Sequence, residues 1–415
     1  MKRQLIAFSA LFLVLFSCKT EKAENIISDN FDFASRQLVF AMEEVEKAKA
    51  EESEEDRMKR QERHLGPLVS PRTIDENGKL VLVPSKDWTS GFFPGELWYM
   101  YEYYKTPEWE QDARKYTDPL EREKQNGKTH DMGFKMYCSY GNGYRLTGDE
   151  NYKNILMESA RTLITRYKPN AKIIRSWDHN ANKWQCPVII DNMMNLELLF
   201  WAFNESKDST FYDIAVNHAY TTMRNHFRSD YSTYHVIDYD TITGEVLKRN
   251  THQGYADESA WARGEAWALY GYIMCYRETK NADFLNQAEK IVNYIFNHTN
   301  LPEDLIPYWD YDAPEIPNEP RDVSAATCTA SALYELCMYD KANAVHYKKF
   351  ADTILKNITD NYRAKLGADR GFLLLHSTGS KPSNVEIDVP LSYADYYFLE
   401  ALLRKQKLEA TGSVF

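Results

Sequence analysis

Three stretches of this chain have no polar face. Residues 189–203, 266–276 and 325–338 are apolar or small at nearly every position. A helix of that kind belongs inside a protein, not on its surface. Other stretches are apolar on one side only. Residues 150–167 place Tyr152, Ile155, Leu156, Ala160, Leu163, Ile164 and Tyr167 on one face. Residues 281–297 repeat this with Phe284, Leu285, Ala288, Ile291, Val292, Ile295 and Phe296, and residues 343–358 with Tyr347, Phe350, Ala351, Ile354, Leu355 and Ile358. These are half-buried outer helices. The chain therefore alternates inner and outer helices.

Its turns repeat as well. Thr147-Gly148-Asp149, Ser206-Lys207-Asp208 and Thr279-Lys280-Asn281 each end an inner stretch. An aromatic residue then opens each outer one: Tyr152, Phe211 and Phe284. About twelve helices are predicted, near 31–63, 94–104, 107–124, 131–147, 150–167, 189–204, 208–227, 261–278, 281–297, 324–338, 343–360 and 389–404. Six inner–outer hairpins closing on themselves make an all-α fold, an (α/α)6 barrel; an open helical solenoid is the alternative. The irregular segments 65–93, 168–188, 229–260, 300–323 and 361–388 all precede inner helices and should gather at one end of the barrel. Within these rim loops, Tyr234-His235-Val236-Ile237-Asp238 and Gly371-Phe372-Leu373-Leu374-Leu375 are expected to pair as short strands.

The 415 residues are enough for a large core, and the net charge of −11 argues against nucleic acid as a partner. Lys2 and Arg3 followed by the apolar run 5–16 form a leader too short to span a bilayer. Leu15-Phe16-Ser17-Cys18 resembles a bacterial lipobox. The expected division is a signal peptide over 1–17, a lipidated Cys18 with a polar tether over 18–30, and the (α/α)6-barrel domain over 31–410. That places the protein in the bacterial cell envelope, anchored by lipid to the outer membrane and facing the periplasm. Cys138, Cys186, Cys275, Cys328 and Cys337 are scattered and read as small buried residues, with neither a disulfide framework nor a metal site expected.

Two aspartates carry the chemistry. Asp131, in Thr129-His130-Asp131-Met132-Gly133-Phe134, and Asp191, in Ile190-Asp191-Asn192-Met193-Met194, both stand at the start of an inner helix on the loop-rich rim. Either alone reads as a helix cap. Their shared placement points instead to paired acid/base work. Ser259-Ala260-Trp261-Ala262-Arg263-Gly264-Glu265-Ala266-Trp267 opens a third inner helix, with a planar cation suited to a carboxylate and a flat ring beside it. The plainer reading is an Arg263 ion pair with Glu265 or an aspartate. Thr251-His252-Gln253-Gly254-Tyr255 supplies amide donors upstream.

These segments resemble glycoside hydrolase family 88, the unsaturated glucuronyl hydrolases. Asp87-Trp88-Thr89-Ser90-Gly91 and Tyr393-Ala394-Asp395-Tyr396-Tyr397 also resemble family segments, in consistent order from about residue 31 to 405. The resemblance implies an (α/α)6 barrel, no metal or other cofactor, and an unsaturated uronate-containing oligosaccharide as partner. It implies that Asp191 is the general acid and base and Asp131 the second essential carboxylate. It implies substrate contacts from His130, His235, Gln253, Trp261, Arg263, Trp88, Trp177 and Tyr393. Arg263, His130 or His235 should hold the uronate carboxylate. Glu265 departs from the glutamine expected in many relatives. Lys381, Ser383 and Asn384 could meet the next sugar or a sulfate, or form an ordinary solvated loop. Two rival functions follow: an unsaturated rhamnogalacturonyl or ulvan hydrolase, and a non-catalytic glycan-binding lipoprotein.

Overall fold

The computed structural model describes residues 2–415, with side chains from Ile26 onward. Cys18 and the leader lie outside the fully described residues. In chain order the α-helices are α1 (Lys2–Ala50), α2 (Glu54–Glu62), α3 (Phe92–Tyr104), α4 (Pro107–Thr117), α5 (Asn142–Thr147), α6 (Glu150–Ile164) and α7 (Leu196–Ser206). Then follow α8 (Ser209–Asn225), α9 (Ala262–Thr279), α10 (Ala282–Asn297), α11 (Val323–Leu336), α12 (Ala344–Asn361) and α13 (Ser392–Thr411). A π-helical stretch, Gly133–Gly141, leads into α5, and a 3-10 stretch, Ile190–Asn195, leads into α7. α3, the α5 segment, the α7 segment, α9, α11 and α13 contact one another in sequence, and α13 returns to α3. That closure makes an (α/α)6 barrel and excludes the open solenoid. α1, α4, α6, α8, α10 and α12 form the outer layer, and α2 stands apart with no buried residue.

The repeated polar turns are helix caps. Asp149 accepts the N–H groups of Asn151 and Tyr152, Asp208 that of Thr210, and Asn281 that of Asp283. Each cap contributes about 1 kcal/mol to its outer helix. The preceding residues Gly148, Lys207 and Lys280 turn left-handed and end the inner helices. The hairpin repeat is thus local chemistry restated at these three corners, while α4 and α12 start without a side-chain cap.

Several expectations are corrected. The helix expected over 31–63 breaks after Ala50. The tether ends before residue 30: Ile27 and Asn30 are buried on α1, and Asn30 donates to Thr359 Oγ1 at 3.0 Å. The helix expected over 107–124 changes to a 3-10 stretch after Thr117, where Pro119 cannot continue an α-helix. Ile189 closes strand β1 (Pro187–Ile189); it does not open a helix. Strand β2 (Val236–Tyr239) pairs antiparallel with β1 and with β3 (Val246–Asn250), and not with 371–375. That second segment makes one bridge, Leu374 to Arg363. It forms no ladder because Asp395 takes the N–H groups of Leu373 and Leu374, at 2.8 and 3.0 Å.

A cavity of about 540 Å³ inside the barrel runs from Gly133 and Met194 down to the C-terminal ends of the inner helices, and Glu197, Arg277, Glu400 and Arg404 line it. These charges answer one another, with Arg277 on Glu197 and Glu335, and Arg404 on Glu335 and Glu400. The cavity is therefore a self-satisfied ionic base to the barrel, and the chemistry gathers at the other end.

Candidate active site

Two close approaches bring the inner-helix starts together. A Cβ on Gly133 would stand 2.6 Å from Asn195 Cα, and one on Gly271 would stand 2.5 Å from Met193 Cβ. Only glycine allows the Asp131 segment and α9 to press so closely on the Asp191 segment. Phe134 N–H donates to Asn195 Oδ1 at 3.1 Å across the first contact. The rim loops complete the join. His130 N–H donates to Ser176 O, and Ile189 N–H donates to Ser176 Oγ, so one serine ties both aspartate segments together and sets Trp177 beside them.

The two carboxyls end up unlike each other. Asp191 is nearly buried, its Oδ2 has no hydrogen-bond partner, and burial pushes its carboxyl up to about 6. Asp131 keeps 18% of its side chain exposed and accepts Thr129 Oγ1–H at 2.6 Å and His130 Nε2 at 3.1 Å. Burial works to raise it too, but His130, Thr129 and Lys135 outweigh burial and hold it below the ordinary carboxylate range. One acid and one carboxylate side by side is the arrangement proton transfer requires.

His235 stands over Asp191, Nε2 to Oδ2 3.6 Å. Its Nδ1 accepts the N–H groups of His252 and Gln253, both at 3.1 Å, so Nε2 carries the proton. Burial holds the ring well below the usual histidine range, and it is a neutral donor. From there the wall runs on through aromatic contacts. Trp261 lies 4.6 Å from His235, Arg263 lies over Trp261 and Tyr393, and Trp88 touches Tyr393 and Phe134. Trp177 stacks on His179 at 5.1 Å and tilts against His252. The predicted residues therefore line one wall. Gln253 joins it through its backbone and gives its side-chain Nε2–H to Gly379 O at 3.1 Å.

Arg263 requires a correction. It is buried, and its Nη1 is held by Asp322 Oδ2 at 2.5 Å and Thr378 O at 2.6 Å, while Nη2 is held by Gly379 O. The fork expected to meet a substrate carboxylate is spent on an aspartate ion pair and on anchoring the 378–379 loop. Only Nε lacks a partner. Lys381 is likewise paired, with Glu319, while Ser383 and Asn384 are exposed. Buried polar atoms are nearly always satisfied in folded proteins. Of the eighteen buried side-chain atoms without a partner among the described residues, six belong to predicted site residues: His130 Nδ1, Trp177 Nε1, Asp191 Oδ2, His235 Nε2, Arg263 Nε and Tyr393 Oη. A polyhydroxylated ligand would complete these six. Among the described residues no group of three His, Cys, Asp or Glu side chains is arranged to hold a metal ion.

Sequence reasoning missed two groups. Asp322 starts α11 at the same rim and accepts Ser324 N–H as a cap. Its position at an inner-helix start was the available signal. Lys135 is fully buried one turn after Asp131, 3.6 Å from Glu123 Oε2. Its spacing of four from Asp131 was the signal there.

The model of Glycosyl Hydrolase Family 88 matches residues 69–397. The chain belongs to this family. It is 50% identical over 347 residues to an unsaturated glucuronyl hydrolase of Formosa agariphila, covering 83% of this chain and 86% of that one. An unsaturated chondroitin disaccharide hydrolase of Streptococcus pneumoniae is 32% identical over 345 residues, 81% of this chain and 86% of that one. The crystal structure of an unsaturated glucuronyl hydrolase specific for heparin superposes with a TM-score of 0.85 at 44% identity, covering 93% of this chain and 98% of that one. This family 88 chain is a glycoside hydrolase of the unsaturated glucuronyl type, and the wall from Trp88 to Asp191 is its candidate active site.

Proposed function

We propose that the enzyme removes the terminal 4,5-unsaturated uronic acid from oligosaccharides left by polysaccharide lyases, with glycosaminoglycan fragments of chondroitin, hyaluronan or heparin type as the substrate class. The observation that carries this is the buried Asp191 carboxyl, raised to about 6 beside an ionised Asp131. The chondroitin and heparin activities named for its relatives support the substrate class.

An unsaturated uronate is a vinyl ether, so it opens without attack at the anomeric carbon. Asp191 gives its proton to C4. The C4=C5 electrons form the new C–H bond, and positive charge is shared by C5 and the ring oxygen. Water adds to C5 and loses its proton to the Asp191 carboxylate, which restores the acid. The hemiketal then breaks its C5–O bond to the ring oxygen, giving a C5 ketone, and C1 releases the rest of the saccharide. The substrate's own carboxylate raises Asp191 further on binding and keeps it loaded. Asp131, ionised and tied to His130, accepts sugar hydroxyls. His235 Nε2–H, Trp177 Nε1–H, Arg263 Nε–H and Tyr393 O–H are the donors left for the rest of the ring and its carboxylate. A glycan-binding protein without turnover has no use for a carboxyl so placed.

In heavy water the product should carry one deuterium at C4, and the ultraviolet absorbance of the conjugated double bond should vanish. A saturated disaccharide should survive. Equal hydrolysis of the saturated sugar overturns the vinyl-ether route. We further propose the cell envelope as its location, because the leader and Leu15-Phe16-Ser17-Cys18 fit a lipid anchor. Cys18→Ala should release it from the membrane fraction; retention there refutes the anchor.

A further inference from the structure

Glu265 is fully buried on the first turn of α9, four residues after Trp261. Its Oε1 accepts both Thr233 N–H, at 2.7 Å, and Thr233 Oγ1–H, at 2.9 Å. Its Oε2 is buried with no partner. Thr233 lies two residues before His235, and His235 O in turn accepts Ile190 N–H at 3.1 Å, next to Asp191. A continuous run of hydrogen bonds and peptide links therefore joins Glu265 to both the donor and the acid of the site. Gly264 keeps that run tight, since a Cβ there would stand 3.3 Å from Ile190 Cγ2 and 3.5 Å from Thr233 Oγ1.

We propose that Glu265 is a positioning residue: through Thr233 it sets where His235 stands against Asp191. The proposal rests on the hydrolase reading above. Burial pushes the carboxyl up to about 8, so the acid form holds at neutral pH, and with Oε1 taken by Thr233 its proton sits on Oε2. The groups that face it are Arg228 and Asp230 from the loop after α8, Tyr294 on α10 and Tyr311. Arg228 does not neutralise it, being held by Thr233 O, Asp257 O and Ser259 O. A neutral acid of this kind has the shape and acceptor of a glutamine, so Glu265→Gln preserves the contact with Thr233, and Glu265→Ala removes it.

The test measures kcat, KM and the pH profile on an unsaturated disaccharide. Glu265→Gln should stay close to wild type. Glu265→Ala should lower kcat on the order of 10-fold or more, as loose positioning does, with a smaller change in KM. The alkaline limb should stay in place, since Asp191 has no hydrogen-bonded donor to lose. Recovery of kcat by Glu265→Gln, with KM little changed in Glu265→Ala, separates positioning from a general loss of packing. Should Glu265→Ala not fold, Thr233→Val keeps the N–H contact and loses the hydroxyl, and should show a smaller change of the same kind. Wild-type kcat in the Ala and Val variants, or equal damage from Gln and Ala, overturns the proposal. An inert wild type overturns the hydrolase reading with it.

Discussion

Gly133→Ala measures how closely the two aspartate segments must approach. A Cβ at 133 would lie 2.6 Å from Asn195 Cα and 2.8 Å from Asn195 Oδ1, where ordinary contact begins at 3.4 Å. The nearest obstacle is main chain, so no side-chain rotation relieves it, and the segments must part by about 1 Å in a close-packed interior. Overpacking of this kind costs about 1–3 kcal/mol. The Phe134 N–H bond to Asn195 Oδ1, now 3.1 Å, would stretch and forfeit about 1 kcal/mol more. Asp131 precedes Gly133 by two residues and Asp191 precedes Asn195 by four. A misplacement near 1 Å between catalytic groups costs on the order of 100-fold in rate. Loss of ultraviolet absorbance by an unsaturated disaccharide gives kcat, and urea unfolding gives the stability. Lower stability with wild-type kcat would refute the claim that this contact sets the distance between the aspartates.

Three further outcomes are expected. Because Asp191 must carry its proton and is raised to about 6, kcat/KM should fall about tenfold per pH unit above that value. Asp131, held low, should limit the rate only in stronger acid; a profile that rises from pH 6 to 8 contradicts the assignment. Glu96 and Asp395 are buried together, and burial plus their mutual repulsion raises Glu96 well above the carboxyl range. A raised carboxyl stabilises the fold at low pH and loses that contribution as pH climbs past its unfolded value, so Glu96→Gln should unfold at a higher temperature than wild type at pH 9 and gain less at pH 4. An equal effect at both pH values would count against it. Arg263→Met leaves Asp322 charged and buried without its partner, at a cost of about 3–5 kcal/mol, and frees the 378–379 loop. An unchanged unfolding midpoint would show the pair to be unimportant.

The barrel was legible because its evidence is periodic. Apolar residues recur along one face of the outer helices, and an Asp or Asn side chain caps α6, α8 and α10, so those hairpins announce themselves locally. The site was legible to the extent that its residues sit at inner-helix starts, as Asp131, Asp191 and Arg263 do. What was not legible depends on contacts between distant parts of the chain. Asp322 and the carbonyls of Thr378 and Gly379 meet Arg263 across 59 to 116 residues, and nothing near Arg263 announces that its charge is taken. The 371–375 run has strand composition, yet Asp395 satisfies its backbone from α13. The π-helical turn after Asp131 begins where Gly133 meets Asn195 and Phe134 N–H donates to Asn195 Oδ1, a contact between two segments that each read as plain helix.

The central claim is that Asp191 delivers the proton. Asp191→Asn keeps the shape of the side chain and removes the acid. The expected result is a fall in kcat of about 10²–10⁴-fold on an unsaturated disaccharide, with binding measured by calorimetry retained. Turnover at the wild-type rate by Asp191→Asn would contradict it.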